Sequence, residues 1–334
     1  MSKIKKMNYR TLGKTDFNIS EISLGTWQVG GKWGDDFNHA TADKILNTAV
    51  DAGINFIDTA DVYGGGESEK AVGKFVKSRS ERIYVATKCG RQLNPHVNEA
   101  YQPAVLRQFV ENSLKNMGLE TLDLIQLHCP PTEVYYRPEI FELFDRLKEE
   151  GKILNLGISV EKVEEALKGI EYENVTSVQI IFNMFRQRPT ELFFAQAQKK
   201  NVGIIVRVPL ASGLLTGKFS KQSTFTEGDH RHFNRNGEMF DKGETFSGIN
   251  YETGLAAVDA LKAVLPQNDN LAAVALRWIL QHEAVSTVIP GASRPEQVTD
   301  NVAAVNLPEL SSEQMSAINT IYQQHIKKSV HHLW

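Results

Sequence analysis

A (β/α)8 barrel is the fold that the sequence predicts, and three observations predict it. From Ile22 onward, eight short β-rich apolar runs alternate with segments of helical period, and no linker-like break divides the series. Three of the runs end on a polar residue able to take part in proton transfer: Ile54-Asn55-Phe56-Ile57-Asp58, Ile83-Tyr84-Val85-Ala86-Thr87-Lys88 and Leu124-Ile125-Gln126-Leu127-His128. The intervals between Asp58, Lys88 and His128 each hold one helix and its loops. As parallel strands, these runs bring the three residues together at the carboxyl edge of one sheet, where barrel enzymes keep their chemistry, with Tyr63 just beyond the first.

Taken in order, residues 9–20, with Gly13-Lys14 between two short runs, read as a hairpin capping the closed end of the barrel. The strands are expected at 22–24, 55–58, 83–88, 122–128, 153–159, 177–182, 203–208 and 285–290. Helices are expected at 41–52, 67–77, 103–117, 139–150, 160–168, 190–199 and 271–282, with extra helices at 252–265 and 313–326. The whole of 1–334 is thus expected to form a single barrel domain. Between Val208 and Glu252 lies a stretch rich in Gly, Asn, His, Arg and Asp, too long for a passive connection. It follows the seventh strand, so it is expected on the active face as a lid.

A net charge of −3 removes any broad electrostatic case for nucleic acid or an anionic membrane as partner. The basic start, Met1-Ser2-Lys3-Ile4-Lys5-Lys6, leads into no signal-peptide core, and no later run has the length of a membrane span. A soluble cytoplasmic protein acting on small molecules is the expectation. Two cysteines, Cys89 and Cys129, fit a reducing compartment. No Cys/His spacing suggests zinc, and His230 and His232 lack an evident third ligand, so no metal is expected. The sequence sets no oligomeric state.

A tyrosine phenol serves as a proton donor near neutrality when a neighbour stabilises its phenolate. Lys88 can do so, Asp58 can hold Lys88 charged, and His128 can orient a carbonyl oxygen. That inventory fits carbonyl reduction, with hydride from a bound cofactor. A Schiff-base aldolase using Lys88 is the second enzymatic reading, and Tyr63 and the Arg294 segment argue against it.

The chain also resembles the aldo-keto reductases along nearly its whole length. The resemblance rests on Gly25-Thr26-Trp27, Asn55-Phe56-Ile57-Asp58-Thr59-Ala60-Asp61-Val62-Tyr63-Gly64, Thr87-Lys88, Leu124-Ile125-Gln126-Leu127-His128, Gly157-Ile158-Ser159, the run from Pro209 to Lys218 and Ile289-Pro290-Gly291-Ala292-Ser293-Arg294. It implies a (β/α)8 barrel that uses NADP(H), with Asp58, Tyr63, Lys88 and His128 as catalytic tetrad. Tyr63 would donate the proton, Lys88 and Asp58 would lower its pKa, and His128 would orient the carbonyl. Ser159 and Gln179 would bond the nicotinamide carboxamide. Pro209, Leu210, Ser212, Gly213, Leu214 and Lys218 would follow the pyrophosphate, with backbone amides as donors. Gly25, Thr26, Trp27, Gly291, Ser293, Arg294, Gln297 and Asn301 complete the implied cofactor site, and Arg294 suits a 2′-phosphate. This is not the doubly wound dinucleotide fold, because no Gly-x-Gly-x-x-Gly follows a strand.

Two positions depart from the commoner pattern of the family. Val160 follows Ser159 where many members carry Asn, so one carboxamide contact is expected from elsewhere, with Asn183 as the candidate. Arg207 stands where many members stack an aromatic on the nicotinamide, and it is expected to pack over the ring or reach a phosphate. Trp27, Trp33, Tyr63 and His128 are the expected substrate pocket. Cys89 and Cys129 read as buried small hydrophobes ahead of a redox switch. Substrate remains open among polyol, sugar or inositol-type carbonyls and small aldehydes such as methylglyoxal. The β subunits of voltage-gated potassium channels resemble this family too, which keeps a cofactor-binding, redox-sensing role as the non-enzymatic alternative.

Overall fold

The computed structural model describes residues 7–31, 36–266 and 270–334, so Trp33 lies outside the described residues. The chain opens with the expected antiparallel hairpin, β1 (Tyr9–Thr11) and β2 (Asn18–Ser20), paired from Tyr9↔Ser20 to Thr11↔Asn18. Eight parallel strands follow: β3 (Leu24–Gly25), β4 (Phe56–Asp58), β5 (Tyr84–Cys89), β6 (Leu122–His128), β7 (Ile153–Ser159), β8 (Val175–Ile181), β9 (Gly203–Arg207) and β10 (Thr287–Val288). They are hydrogen-bonded in chain order. The seam between β10 and β3 is closed by bridges at Ile22↔Val288 and Gly25↔Gly291, with Ser23 N donating to the Val288 oxygen at 2.9 Å. A Cβ on Gly25 would stand 2.9 Å from the Ile289 carbonyl oxygen, so the seam is narrow enough to require glycine there.

Side chains two apart on a strand share a face, and this period organises the interior. Leu12, Phe17 and Ile19 of the hairpin region pack against Phe56, Ala86, Leu124, Ile205 and Ile289, which fills the amino end of the barrel with apolar volume. One period further on, the same strands present Asp58, Lys88, Gln126 and Arg207. The polar residues are therefore gathered at the carboxyl end by the pleat alone.

Helices α1 (His39–Asp51), α2 (Glu67–Ser78), α3 (Pro103–Met117), α4 (Pro138–Glu149), α5 (Val163–Gly169) and α6 (Phe193–Lys199) connect the strands. Their apolar stripes cover the sheet, as with Ile140, Phe141, Leu143, Phe144 and Leu147 of α4. The α3 helix starts on Pro103 and stops at Gly118, whose φ of 60° closes the helix. The expected helix from residue 160 begins only at Val163, because the Glu165 carboxylate takes the amides of Glu161 and Lys162 at 3.0 and 3.1 Å. The β9–β10 connection carries α7 (His230–Phe233), α8 (Tyr251–Val264) and α9 (Leu271–Leu280). Beyond β10 come α10 (Pro295–Val302), α11 (Ser312–Ile321), a π turn at Tyr322–Ile326 and α12 (Lys327–Val330). Among the described residues no helix is long and apolar enough to cross a membrane.

Candidate active site

Asp58, Lys88 and His128 meet where the strand ends place them. Lys88 Nζ lies 2.5 Å from Asp58 Oδ1, 2.8 Å from the Thr59 carbonyl oxygen and 3.5 Å from the Tyr63 hydroxyl. All three ammonium protons thus have a direction, which a buried Lys requires. The second Asp58 oxygen accepts side-chain amides from Gln126 at 3.0 Å and Gln179 at 2.8 Å. Gln179 also donates to Gln126 Oε1 at 3.2 Å. The His128 ring meets the Tyr63 ring edge to face at 6.2 Å.

Burial works to lower the Lys88 ammonium, but the Asp58 carboxylate and the Tyr63 hydroxyl outweigh it and leave Lys88 above its ordinary value. Burial raises the Tyr63 phenol; Lys88 opposes this, while Asp58 and Glu244 reinforce it. The expectation that Lys88 and Asp58 together lower the phenol is corrected here: Lys88 alone acts downward, and Asp58, an anion, acts upward. His128 is held well below its ordinary value by burial first and then by Arg91, Lys88 and Arg207. It is neutral at neutral pH, and its buried Nδ1 has no hydrogen-bond partner. A protonated phenol backed by an ammonium and flanked by a neutral imidazole offers two hydrogen-bond donors to one carbonyl oxygen.

Around this centre the expected cofactor residues occupy several settings. Ser159 ends β7, its hydroxyl 3.4 Å from Cys129 Sγ. Thr26 is buried, its hydroxyl between the Asp58 carbonyl oxygen at 3.1 Å and Ser68 at 2.8 Å. Asn183 is committed elsewhere: its amide donates to the Val208 oxygen at 2.9 Å and Ser247 at 2.8 Å, and its oxygen accepts from Phe185 N. That spends both amide protons of Asn183 within the chain and leaves one lone pair on its oxygen. After Pro209 and Leu210, Ser212 and Gly213 adopt left-handed φ of 53° and 97°. The amides of Ala211, Gly213, Leu215 and Gly217 donate to carbonyl oxygens of the same turn, and that of Lys218 to the Thr216 hydroxyl. The expected row of free amides is therefore reduced, and the exposed Lys218 ammonium is the charged donor of this stretch. Arg294, before α10, is exposed and 3.9 Å from Glu296. Gln297 accepts from Ser293 N at 2.7 Å, and Asn301 is buried on α10.

Arg207 has partners within the chain. Its Nη2 donates to Glu161 Oε2 at 2.8 Å and to the Val160 oxygen at 3.0 Å, and its Nη1 is 3.5 Å from Glu244 Oε2. Arg91 Nη2 donates to Glu244 Oε1 at 2.8 Å. Burial raises Glu161 to about 8, whereas Arg91 and Arg207 overcome burial and hold Glu244 low, so the carboxyl pair keeps a proton on Glu161. Oxygens of Glu161 and Glu244 lie within 4.8 Å of each other and of Cys129 Sγ, but two guanidinium groups abut them and leave a cation no net attraction.

Glu244 belongs to the long connection, which does fold over the strand ends. Trp27 meets His230 at 4.7 Å and Phe240 at 6.5 Å, and the Arg91 guanidinium lies 5.6 Å over Phe240. Trp334 fixes this segment from behind: its Nε1 donates to Asp241 at 2.8 Å, and buried Arg186 stacks 4.2 Å from its ring. Cys89 and Cys129 are buried free thiols, both pushed upward first by burial, which matches the packing reading. Backbone strain also marks the site, since Cys129 and the β-branched Val208, each just past a strand end, have φ of 46° and 51°. Sequence reasoning missed Gln126, Arg91, Glu161 and Glu244. Gln126 was findable, being two residues before His128 and so on the same inward face.

The Aldo/keto reductase family model matches residues 21–323. The chain is 28% identical to the NADH-specific methylglyoxal reductase of Escherichia coli, over 89% of this chain and 93% of that protein. Among solved structures it is similar to the holo form of aldo-keto reductase AKR11C1 from Bacillus halodurans, with a TM-score of 0.75, 28% identity and coverage of 96% and 99%. It is also similar to the glycerol dehydrogenase AKR11B4 from Gluconobacter oxydans, with a TM-score of 0.75, 29% identity and 96% of each chain covered. With a closed eight-stranded barrel and these matches along its length, the chain belongs to the aldo/keto reductase family, whose oxidoreductases act on carbonyl compounds with a nicotinamide cofactor.

Proposed function

We propose that this protein reduces aldehydes or ketones to alcohols with NADPH, reversibly, and that Tyr63 is the proton donor. The observation that carries the reading is the chain of contacts from Asp58 to Lys88 at 2.5 Å and from Lys88 to the Tyr63 hydroxyl at 3.5 Å, beside a neutral His128. NADPH, when bound, supplies the hydride. Tyr63 and His128 hold the carbonyl oxygen, Tyr63 transfers its proton to that oxygen, and Lys88 stabilises the phenolate left behind. Asp58, Gln126 and Gln179 keep Lys88 charged and in place, while Trp27, His230 and Phe240 exclude water.

The donor set fits a dinucleotide phosphate. Gln179 spends its amide nitrogen on Asp58 and Gln126, which leaves its oxygen to accept from a carboxamide, with Ser159 as the neighbouring hydroxyl. Lys218 and Arg294 are exposed cations following β9 and β10 on the active face. One relative is named as NADH-specific, so the 2′-phosphate preference rests on Arg294. Arg294→Ala is expected to raise the KM for NADPH roughly tenfold or more, the worth of a charge-assisted hydrogen bond, and to leave that for NADH nearly unchanged. Equal changes for both cofactors would remove Arg294 from 2′-phosphate recognition.

The raised phenol sets the pH dependence. Reduction needs Tyr63 protonated, so its rate is expected to stay level through neutral pH and to fall only as pH passes the elevated phenol value. Alcohol oxidation needs the phenolate and is expected to rise with pH over the same alkaline range. Rate profiles from pH 6 to about pH 10.5 in both directions check this; a reduction limb falling below about pH 8 would mean that another group is the acid. A Schiff-base mechanism would need an uncharged Lys88, and the Asp58 contact works against that.

A further inference from the structure

Three consecutive residues of the β9–β10 connection, Phe246, Ser247 and Gly248, have left-handed φ of 52°, 58° and 79°, a strained run that needs anchors outside itself. Those anchors come from far along the chain. Trp334, beyond α12, is buried, and its indole is the floor on which the turn sits: a Cβ on Gly243 would stand 2.8 Å from Trp334 Cε2, and one on Gly248 would stand 2.5 Å from its Cη2. The indole Nε1 donates to Asp241 Oδ1 at 2.8 Å, the atom that also takes the Gly243 amide at 2.7 Å. Arg186, in the loop after β8, donates to the Gly243 and Ser247 carbonyl oxygens at 3.2 and 3.3 Å. Among the described residues no carboxylate forms an ion pair with this buried guanidinium, and the face of the indole covers it at 4.2 Å.

The clamp acts on the inner side of the same turn. Between Asp241 and Gly248 stands Glu244, which reaches Arg91 at 2.8 Å and Arg207 at 3.5 Å on the active face. The backbone here also grips the Ser212 turn: Ser212 Oγ donates to the Glu244 carbonyl oxygen at 3.1 Å and accepts from Phe246 N at 3.0 Å. None of these contacts involves Tyr63, Lys88 or His128. Removing the indole therefore loosens the Ser212 turn and leaves the proton-transfer groups in place. Resting on the reductase reading, in which the stretch from Pro209 to Lys218 follows the cofactor pyrophosphate, we propose that Trp334 is a positioning residue for the cofactor. By fixing residues 241–248 from behind, it sets how long the cofactor stays bound without entering the chemistry.

The test compares wild type with Trp334→Ala, Trp334→Phe and Asp241→Ala at neutral pH. NADPH release is read from the emission of the bound cofactor during displacement by excess NADP+, hydride transfer from single turnover of butanal at saturating NADPH, and backbone opening from hydrogen exchange of the cofactor-free protein. Trp334→Ala is expected to speed release on the order of tenfold or more, the worth of a desolvated cation–π contact, while the single-turnover rate stays within about twofold. Exchange is expected to rise in residues 209–218 and 241–248 and to stay unchanged in β4 to β8. Trp334→Phe keeps a ring over Arg186 and Asp241→Ala removes the acceptor of the indole, so each is expected to give a smaller share of the same effect. If Trp334→Ala does not fold, these two decide; if wild type binds NADPH without consuming butanal, release and exchange decide. Release and exchange unchanged in the folded variants, exchange raised equally across the barrel, or hydride transfer slowed as much as release is quickened would overturn the proposal. Unchanged release with butanal turned over would leave the reductase reading standing; no binding of NADPH by wild type would sink both.

Discussion

Tyr63→Phe is expected to lower turnover by at least roughly hundredfold, the contribution of a positioned general acid, while leaving cofactor affinity nearly intact. The substitution removes one oxygen and keeps the ring that packs on His128 at 6.2 Å. Lys88 loses only its longest contact, at 3.5 Å, and keeps Asp58 and Thr59. A selective loss of kcat is therefore the mark of the missing proton. Steady-state rates with an aldehyde, alongside cofactor titration by protein fluorescence, separate chemistry from binding. Turnover within a few-fold of wild type would transfer the acid role to His128 or water.

Asp58→Asn is expected to be the most damaging substitution for stability. It leaves the Lys88 cation fully buried without an anion and removes the charged acceptor shared by Gln126 and Gln179. Breaking one side of a buried pair costs about 3–5 kcal/mol, a large part of the stability of a typical domain. The midpoint of urea unfolding should fall accordingly, and turnover should be lost with it. Adding Lys88→Met to Asp58→Asn removes the stranded charge, so the double variant is expected to recover much of the midpoint while remaining inactive. A double variant no more stable than Asp58→Asn would show that the loss comes from the glutamine amides and not from the ammonium.

The strand ends were legible because the strand period is local: Asp58, Lys88 and His128 close apolar runs, and the pleat turns them inward with their alternate neighbours. The hairpin plug was legible for the same reason, as two short runs around Gly13. What stayed hidden depends on pairing between distant segments. Glu244 reaches Arg91 across 153 residues, and Trp334 reaches Asp241 across 93, and no local pattern announces either contact. Arg207 shows the limit most clearly. Its position beside the active face was read correctly, but its partners, Glu161 and Glu244, came from two other loops. Asn183 and the amides of the Ala211–Thr216 turn were expected to meet a ligand; the folded loop uses both Asn183 amide protons and several of those amides for itself.

The central claim is hydride transfer from NADPH to a carbonyl carbon with a proton passed by Tyr63. Single-turnover reaction of NADPH deuterated at the transferring position of the nicotinamide, with mass analysis of the alcohol, tests it most directly. The account predicts one deuterium on the carbinol carbon in wild type, formed in step with loss of absorbance at 340 nm, and a far slower appearance of the same product in Tyr63→Phe. Unlabelled alcohol, or bound NADPH that is not consumed by any aldehyde or ketone offered, would contradict it.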